Sequence, residues 1–117
     1  MSLKFYQYPK CSTCVKASKF LKTKKVNVES IDITVTPPTA AELKSMLKFY
    51  DNDLRKLFNT SGLAYKEMNM KDKINTITEA EAIKLLSKNG KLVKRPFLIG
   101  NQIGLVGFNE EAWKTVK

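Results

Sequence analysis

Between Leu3 and Ile33 the apolar pattern changes period twice, and this stretch limits the fold more than any other. Residues 2–7 alternate, with Leu3, Phe5 and Gln7 against Lys4 and Tyr6, which predicts a strand that Pro9 ends. Ser12 and Thr13 are good helix N-caps. After them Cys14, Ala17, Phe20 and Leu21 recur at helical spacing, with Lys16, Lys19 and Lys22 turned away, which predicts a helix to about Thr23. Val26, Val28, Ile31 and Ile33 then suggest a second strand over about 27–33, stopped by Pro37-Pro38. Strand, helix, strand in this order is a βαβ unit, which implies a parallel pair joined by a right-handed crossover.

The remainder adds helices and then a hairpin. Thr39 caps a helix over about 40–49, with Leu43, Met46 and Leu47 on one face. Asp51-Asn52-Asp53 punctuates, 54–58 reads as one short helix, and 59–62 reads as a loop. Thr78 caps a further helix that Asn89-Gly90 ends, as a left-handed stop. Pro96 opens a third strand at 97–99, and Gly100-Asn101 turns it into 103–106. Asn109 caps a last helix running from Glu110 to the end. The order βαβ, helices, ββα is an α/β arrangement, a mixed sheet with flanking helices. A chain of 117 residues, 43% of them apolar, is expected to be a single domain, residues 1–117, with about 39–88 as a helical insert.

Composition removes whole classes of chemistry. The chain has no His, so a Ser–His–Asp triad, a Cys–His dyad and a His-ligated zinc site are all excluded within it. No apolar run approaches the roughly 18 residues of a membrane span. The N-terminus lacks the apolar core and cleavage site of a signal peptide, so a cytoplasmic protein is expected. In that compartment two Cys point to redox or catalytic use rather than to a structural staple. The net charge is +10, and the first 28 residues hold seven Lys and no acid. This reads either as a solvated helix face or as a surface that gathers anions. With only two Arg and no interleaved aromatics, direct nucleic-acid binding is not expected.

Cys11-Ser12-Thr13-Cys14 falls where the first strand gives way to the first helix. A helix start presents unpaired N–H groups and about half a positive charge, and both favour thiolate over thiol. Cys11 is therefore expected to have a depressed pKa and to act as nucleophile, with Lys10 and Lys16 pushing the same way. Ser12 and Thr13 offer hydroxyl donors. Cys14, one turn deeper, can resolve the reaction by closing a disulfide onto Cys11. CxxC at a strand–helix junction of a βαβ pattern reads as thioredoxin-like redox chemistry. A shared zinc site would need two more ligands, and a pair of quiet buried thiols is the bland alternative. The second element is Lys94-Arg95-Pro96. Pro96 is placed for a cis peptide, with a trans Pro at the strand's first residue as the alternative. Arg95 could hold an oxyanion, or stand as a surface Arg with no partner. No metal, organic cofactor or nucleotide is implied.

Three segments carry a resemblance: Tyr8-Pro9-Lys10-Cys11-Ser12-Thr13-Cys14-Val15-Lys16-Ala17, Lys94-Arg95-Pro96-Phe97-Leu98-Ile99 and Val106-Gly107-Phe108. Over essentially its whole length the chain resembles the arsenate reductase and Spx-like family. The resemblance implies a thioredoxin-like fold with a helical insert, Cys11 as nucleophile and a cis bond before Pro96. Arsenate reductases of this family attack arsenate with the matching Cys, cradle the anion with arginines, and draw electrons from glutathione or glutaredoxin. Spx-like regulators use CxxC as a disulfide switch and bind the C-terminal domain of the RNA polymerase α subunit. Of the family's three anion-binding arginines only Arg95 is matched; Asn59 stands at one of the other positions, and 103–108 holds none. Two lost charge-assisted contacts, each worth about 1.5–3 kcal/mol, weaken the arsenate reading, with Lys10, Arg55 and Lys56 as candidates to compensate. Cys14, which glutathione-dependent reductases do not need, fits dithiol chemistry and the Spx-like switch. The resemblance therefore implies a thiol reductant as partner (glutaredoxin with glutathione, or thioredoxin), or the polymerase α subunit.

Overall fold

The computed structural model describes residues 3–116. It contains a four-stranded mixed sheet: β1 (Leu3–Gln7), β2 (Val28–Asp32), β3 (Phe97–Ile99) and β4 (Gly104–Val106), in the order β2-β1-β3-β4. β1 runs parallel to β2, pairing Phe5 with Ser30, and antiparallel to β3, pairing Phe5 with Leu98; β3 and β4 form the antiparallel hairpin. Of the first predicted strand, Ser2 lies outside the described residues.

Phe5 and Tyr6 are both buried although they point to opposite faces of β1, because both faces are covered. Phe5 packs with Leu98, Trp113, Val116 and with Ala17 and Leu21 of α1 (Ser12–Thr23). Tyr6 faces the larger core with Phe97, Phe58, Leu43 and Met46 of α2 (Ala40–Phe49), and residues from the chain that follows. The central helical stretch continues with a 3-10 turn (Leu54–Leu57), α3 (Leu63–Glu67), α4 (Met70–Lys73), α5 (Glu79–Lys88) and a second 3-10 turn (Gly90–Leu92), and α6 (Glu110–Trp113) closes the order.

α2 starts on a capping box. The Thr39 hydroxyl accepts from Glu42 N–H at 3.1 Å, and the Glu42 carboxylate accepts from Thr39 N–H at 3.0 Å. The same carboxylate takes the Tyr6 hydroxyl at 2.6 Å and the Lys4 ammonium at 3.1 Å, which ties α2 to β1. The helical stretch is also stitched to the segment before β3. Asn59 N–H donates to Leu92 O at 2.7 Å, Lys94 N–H donates to Leu57 O at 2.8 Å, and Phe58 bridges Val93.

Several sequence expectations are corrected. The N-cap of α1 is Cys11, not Ser12 or Thr13, and no side chain caps it. The 54–58 helix is a 3-10 turn, and α3 and α4 are short helices of the expected helical insert that the sequence pattern does not single out. The end of α5 is not a left-handed stop, since Asn89 is extended at φ −142°. Gly90 is needed there for closeness instead: a Cβ on it would stand 1.7 Å from Ile33 O. The β3–β4 turn takes four residues, closed by Gly100 N–H to Ile103 O at 2.9 Å. α6 stops at Trp113, and Lys117 lies outside the described residues.

Candidate active site

The loop from β1 into α1 is folded onto itself. Cys11 N–H donates to Tyr8 O at 3.0 Å, and Val15 N–H donates to Cys11 O at 3.0 Å as the helix begins. Cys11 is half-buried and Cys14 is buried, and both are free thiols in the structure. The Cys14 sulfur accepts from Tyr8 N–H at 3.4 Å.

The two sulfurs are driven apart in acidity. Burial works to raise the Cys11 pKa, but it is outweighed. Cys14 turns both its backbone N–H and its thiol toward the Cys11 sulfur, the Arg95 guanidinium adds positive charge, and Thr13 contributes its N–H, so Cys11 is held below an ordinary thiol. Cys14 moves the other way, pushed up to about 12. Burial is the main cause, with the Cys11 sulfur disfavouring a second negative charge, against the opposing help of Tyr8 N–H and Arg95. One sulfur is thus set to carry charge and the other to keep its proton.

Arg95 reaches this site from the far end of the chain. Its guanidinium lies 5.1 Å from the Tyr8 ring centroid, a cation–π contact. The Arg95–Pro96 peptide is cis. Pro96 O accepts from Gly107 N–H at 2.9 Å, and Gly107 O accepts from the Trp113 indole N–H at 3.0 Å. Gly107 is the glycine whose backbone demands one, at φ +68°.

The structure therefore brings together Cys11, Cys14 and Arg95 around Tyr8, with Pro96 next to Arg95 through the cis bond. It does not bring in the lysines. The charge acting on Cys11 is that of Arg95, and Lys10 is exposed in the turn. Ser12 is exposed too, and Thr13 acts through its N–H; neither hydroxyl donates to Cys11 among the described residues. Asn59 belongs to the 59–62 loop, where the Ser61 hydroxyl donates weakly to it at 3.5 Å. Arg55 and Lys56 line a different cleft, together with Lys94. Sequence reasoning gave Tyr8 no role, although it opens the segment that carries the family resemblance. Among the described residues no cluster of His, Cys, Asp or Glu could hold a metal ion, and no helix is long and apolar enough to cross a membrane.

Comparison with known proteins places the chain in a family. Residues 6–116 match the ArsC family. The chain is 42% identical to the uncharacterized protein YusI of Bacillus subtilis, over 97% of each chain. It is 27% identical to the global transcriptional regulator Spx of Streptococcus mutans, over 88% of this chain and 74% of Spx. A crystal structure of an ArsC family related protein from Bacteroides fragilis superposes with a TM-score of 0.92 at 44% identity, covering all of both chains. The chain belongs to the ArsC family and has its thioredoxin-like α/β fold.

Proposed function

We propose that this protein is a thiol–disulfide oxidoreductase in which Cys11 attacks and Cys14 resolves. The observation that carries the reading is the opposed poise of the two sulfurs, Cys11 favoured as thiolate and Cys14 held as a buried thiol. The Cys11 thiolate attacks one sulfur of a substrate disulfide. A mixed disulfide forms and the other substrate sulfur leaves as thiolate, taking a proton from solvent. Cys14 then gives its proton to solvent and attacks the Cys11 sulfur, and the second substrate thiolate leaves. The substrate has gained two electrons, and the protein holds a Cys11–Cys14 disulfide. A dithiol or glutathione-linked reductant, thioredoxin or glutaredoxin, restores both thiols. Arg95 steadies the Cys11 thiolate. It also offers one guanidinium to an oxyanion such as arsenate, where Lys10, Ser12 and Thr13 of the same loop would have to turn inward to add contacts. A single guanidinium supports a disulfide substrate better than arsenate. The reliance on reduced thiols fits a cytoplasmic site.

The test is NADPH consumption by thioredoxin and its reductase, with the protein first oxidised, then with arsenate added. Wild type should consume about one NADPH per protein at once and Cys11→Ser none, with no sustained turnover on arsenate. Oxidised wild type that consumes no NADPH would overturn the reading, and sustained arsenate turnover would move the substrate to the oxyanion.

The likeness to Spx favours one second reading, a redox-controlled regulator that binds the RNA polymerase α subunit. It predicts capture of the α subunit that differs between reduced and oxidised protein. Equal absence of capture in both states would remove it.

A further inference from the structure

Lys94 and Arg95 are neighbours with different destinations. Arg95 lies over Tyr8 beside the thiols, whereas Lys94 lines a cleft of about 580 Å³ together with Arg55 and Lys56. None of the Cys11 loop residues lines that cleft. Its walls come from three parts of the chain, the 50–60 segment, Lys94 just before β3, and β4 with α6 and its cap Asn109. They are held in place, because the backbone bonds at Leu57 and Asn59 and the Phe58–Val93 bridge fix the Arg55–Lys56 wall against Lys94. On the other side the Tyr50 hydroxyl accepts from Val106 N–H at 3.0 Å, which spans the cleft floor.

The charge in this cleft is unbalanced. Three cations line it and no carboxylate comes within ion-pair distance of any of them among the described residues. Asp53 is the one acid of the lining, and its carboxylate is occupied with Arg55 N–H at 3.1 Å as cap of the 3-10 turn. The Arg55 guanidinium is oriented by the Asn75 side-chain oxygen. Lys94 runs its stem along Gly107, where a Cβ would meet its Cε at 3.1 Å, so the conformation at φ +68° leaves room for this lysine. Between the cations the accessible lining holds Tyr50, Leu105 and Val106 beside the polar Thr60 and Asn109, with Phe58 and Trp113 buried behind it. Clefts of a few hundred Å³ with apolar walls and a few convergent polar groups are the usual form of small-molecule sites. Like charges gathered in a concave space favour an anion there.

We propose that this cleft, separate from the thiol site, binds a small organic dianion: a phosphate group held by Arg55, Lys56 and Lys94, with an apolar or aromatic body against Tyr50, Leu105 and Val106. A free phosphate ion would satisfy the charges alone, and the apolar wall is what distinguishes the two ligands.

Trp113 is the chain's single Trp and lies buried just behind the cleft wall, so its fluorescence is the reporter of occupancy. The probe is phenyl phosphate, with inorganic phosphate and phenol as comparison ligands and excitation at the red edge of the Trp band. Wild type should give a saturable change with phenyl phosphate, a weaker affinity for inorganic phosphate, and no saturable change with phenol. The Lys56→Gln/Lys94→Gln protein should bind phenyl phosphate at least tenfold more weakly while keeping the wild-type thermal midpoint within a few degrees. Cys11→Ser/Arg95→Lys should bind it as wild type does. A saturable response that survives in the double lysine variant, or that is lost in the thiol-site variant instead, would overturn the proposal, as would no saturable response in wild type. Inorganic phosphate binding as tightly as phenyl phosphate would overturn the apolar half of it.

Discussion

Tyr8 meets three groups at once: its carbonyl takes the Cys11 N–H, its N–H meets the Cys14 sulfur, and its ring carries the Arg95 guanidinium. The first two contacts are backbone and survive substitution, but the third belongs to the ring. A cation–π contact at a partly exposed site is worth about 0.5–1 kcal/mol, enough to bias where a flexible guanidinium rests. Alkylation of Cys11 by iodoacetamide, followed against pH, reads the consequence. The thiolate reacts, so the rate rises through the Cys11 pKa. The wild-type midpoint should lie below that of an ordinary thiol. It should move up in Arg95→Met, up by less in Tyr8→Leu, and stay in Tyr8→Phe, while Cys14 stays unmodified at neutral pH. A midpoint indifferent to Arg95 would remove the guanidinium from the account. Cys11, Cys14 and Arg95 were legible in the sequence because their side chains carry the chemistry. Tyr8 was not, because its part depends on where the fold brings Arg95.

Helix starts in this chain follow two designs. α2 is fully capped by Thr39 and Glu42, whereas α1 begins on Cys11 with no side-chain cap, leaving its first N–H groups to a sulfur. The sequence pointed to Ser12 and Thr13 because hydroxyl residues are the commonest caps; one step earlier, Cys11 takes the cap position without a side-chain cap bond. Losing the cap in Thr39→Ala should cost about 1 kcal/mol of stability. Gly90→Ala should cost at least as much, about 1–3 kcal/mol, because the added Cβ meets the Ile33 carbonyl and the backbone must shift. Urea unfolding of both variants checks the ranking, and a neutral Gly90→Ala would show that the close approach relaxes freely. The strands and long helices were readable from periodicity, since each spans enough residues to show its period. α3 and α4 were not. Asn69 in the left-handed region at φ 52° divides them into pieces of five and four residues, too short to display a helical repeat.

At the scale of the molecule, the sheet separates two cores and places the thiol loop at the point where chain ends distant in sequence meet. β1 leads into Cys11, and β3, its antiparallel neighbour, follows directly on Arg95-Pro96. The βαβ pattern and the final hairpin foretold the strand directions. Only the register of β1 on β3 puts Arg95 beside the thiols, and register follows from side-chain packing on both faces, which no local pattern encodes. The same packing sends Arg55 and Lys56 to the Lys94 cleft and away from Cys11. The central claim is that Cys11 attacks and Cys14 resolves, and trapping tests it most directly. Reduced protein is mixed with a disulfide substrate, oxidised glutathione, quenched in acid, and weighed intact by mass spectrometry. The account predicts that Cys14→Ser accumulates one glutathione on Cys11, that wild type passes on to an internal disulfide two hydrogens lighter, and that Cys11→Ser stays unmodified. Glutathione trapped on Cys14 of Cys11→Ser as fast as on Cys11 of Cys14→Ser would contradict it.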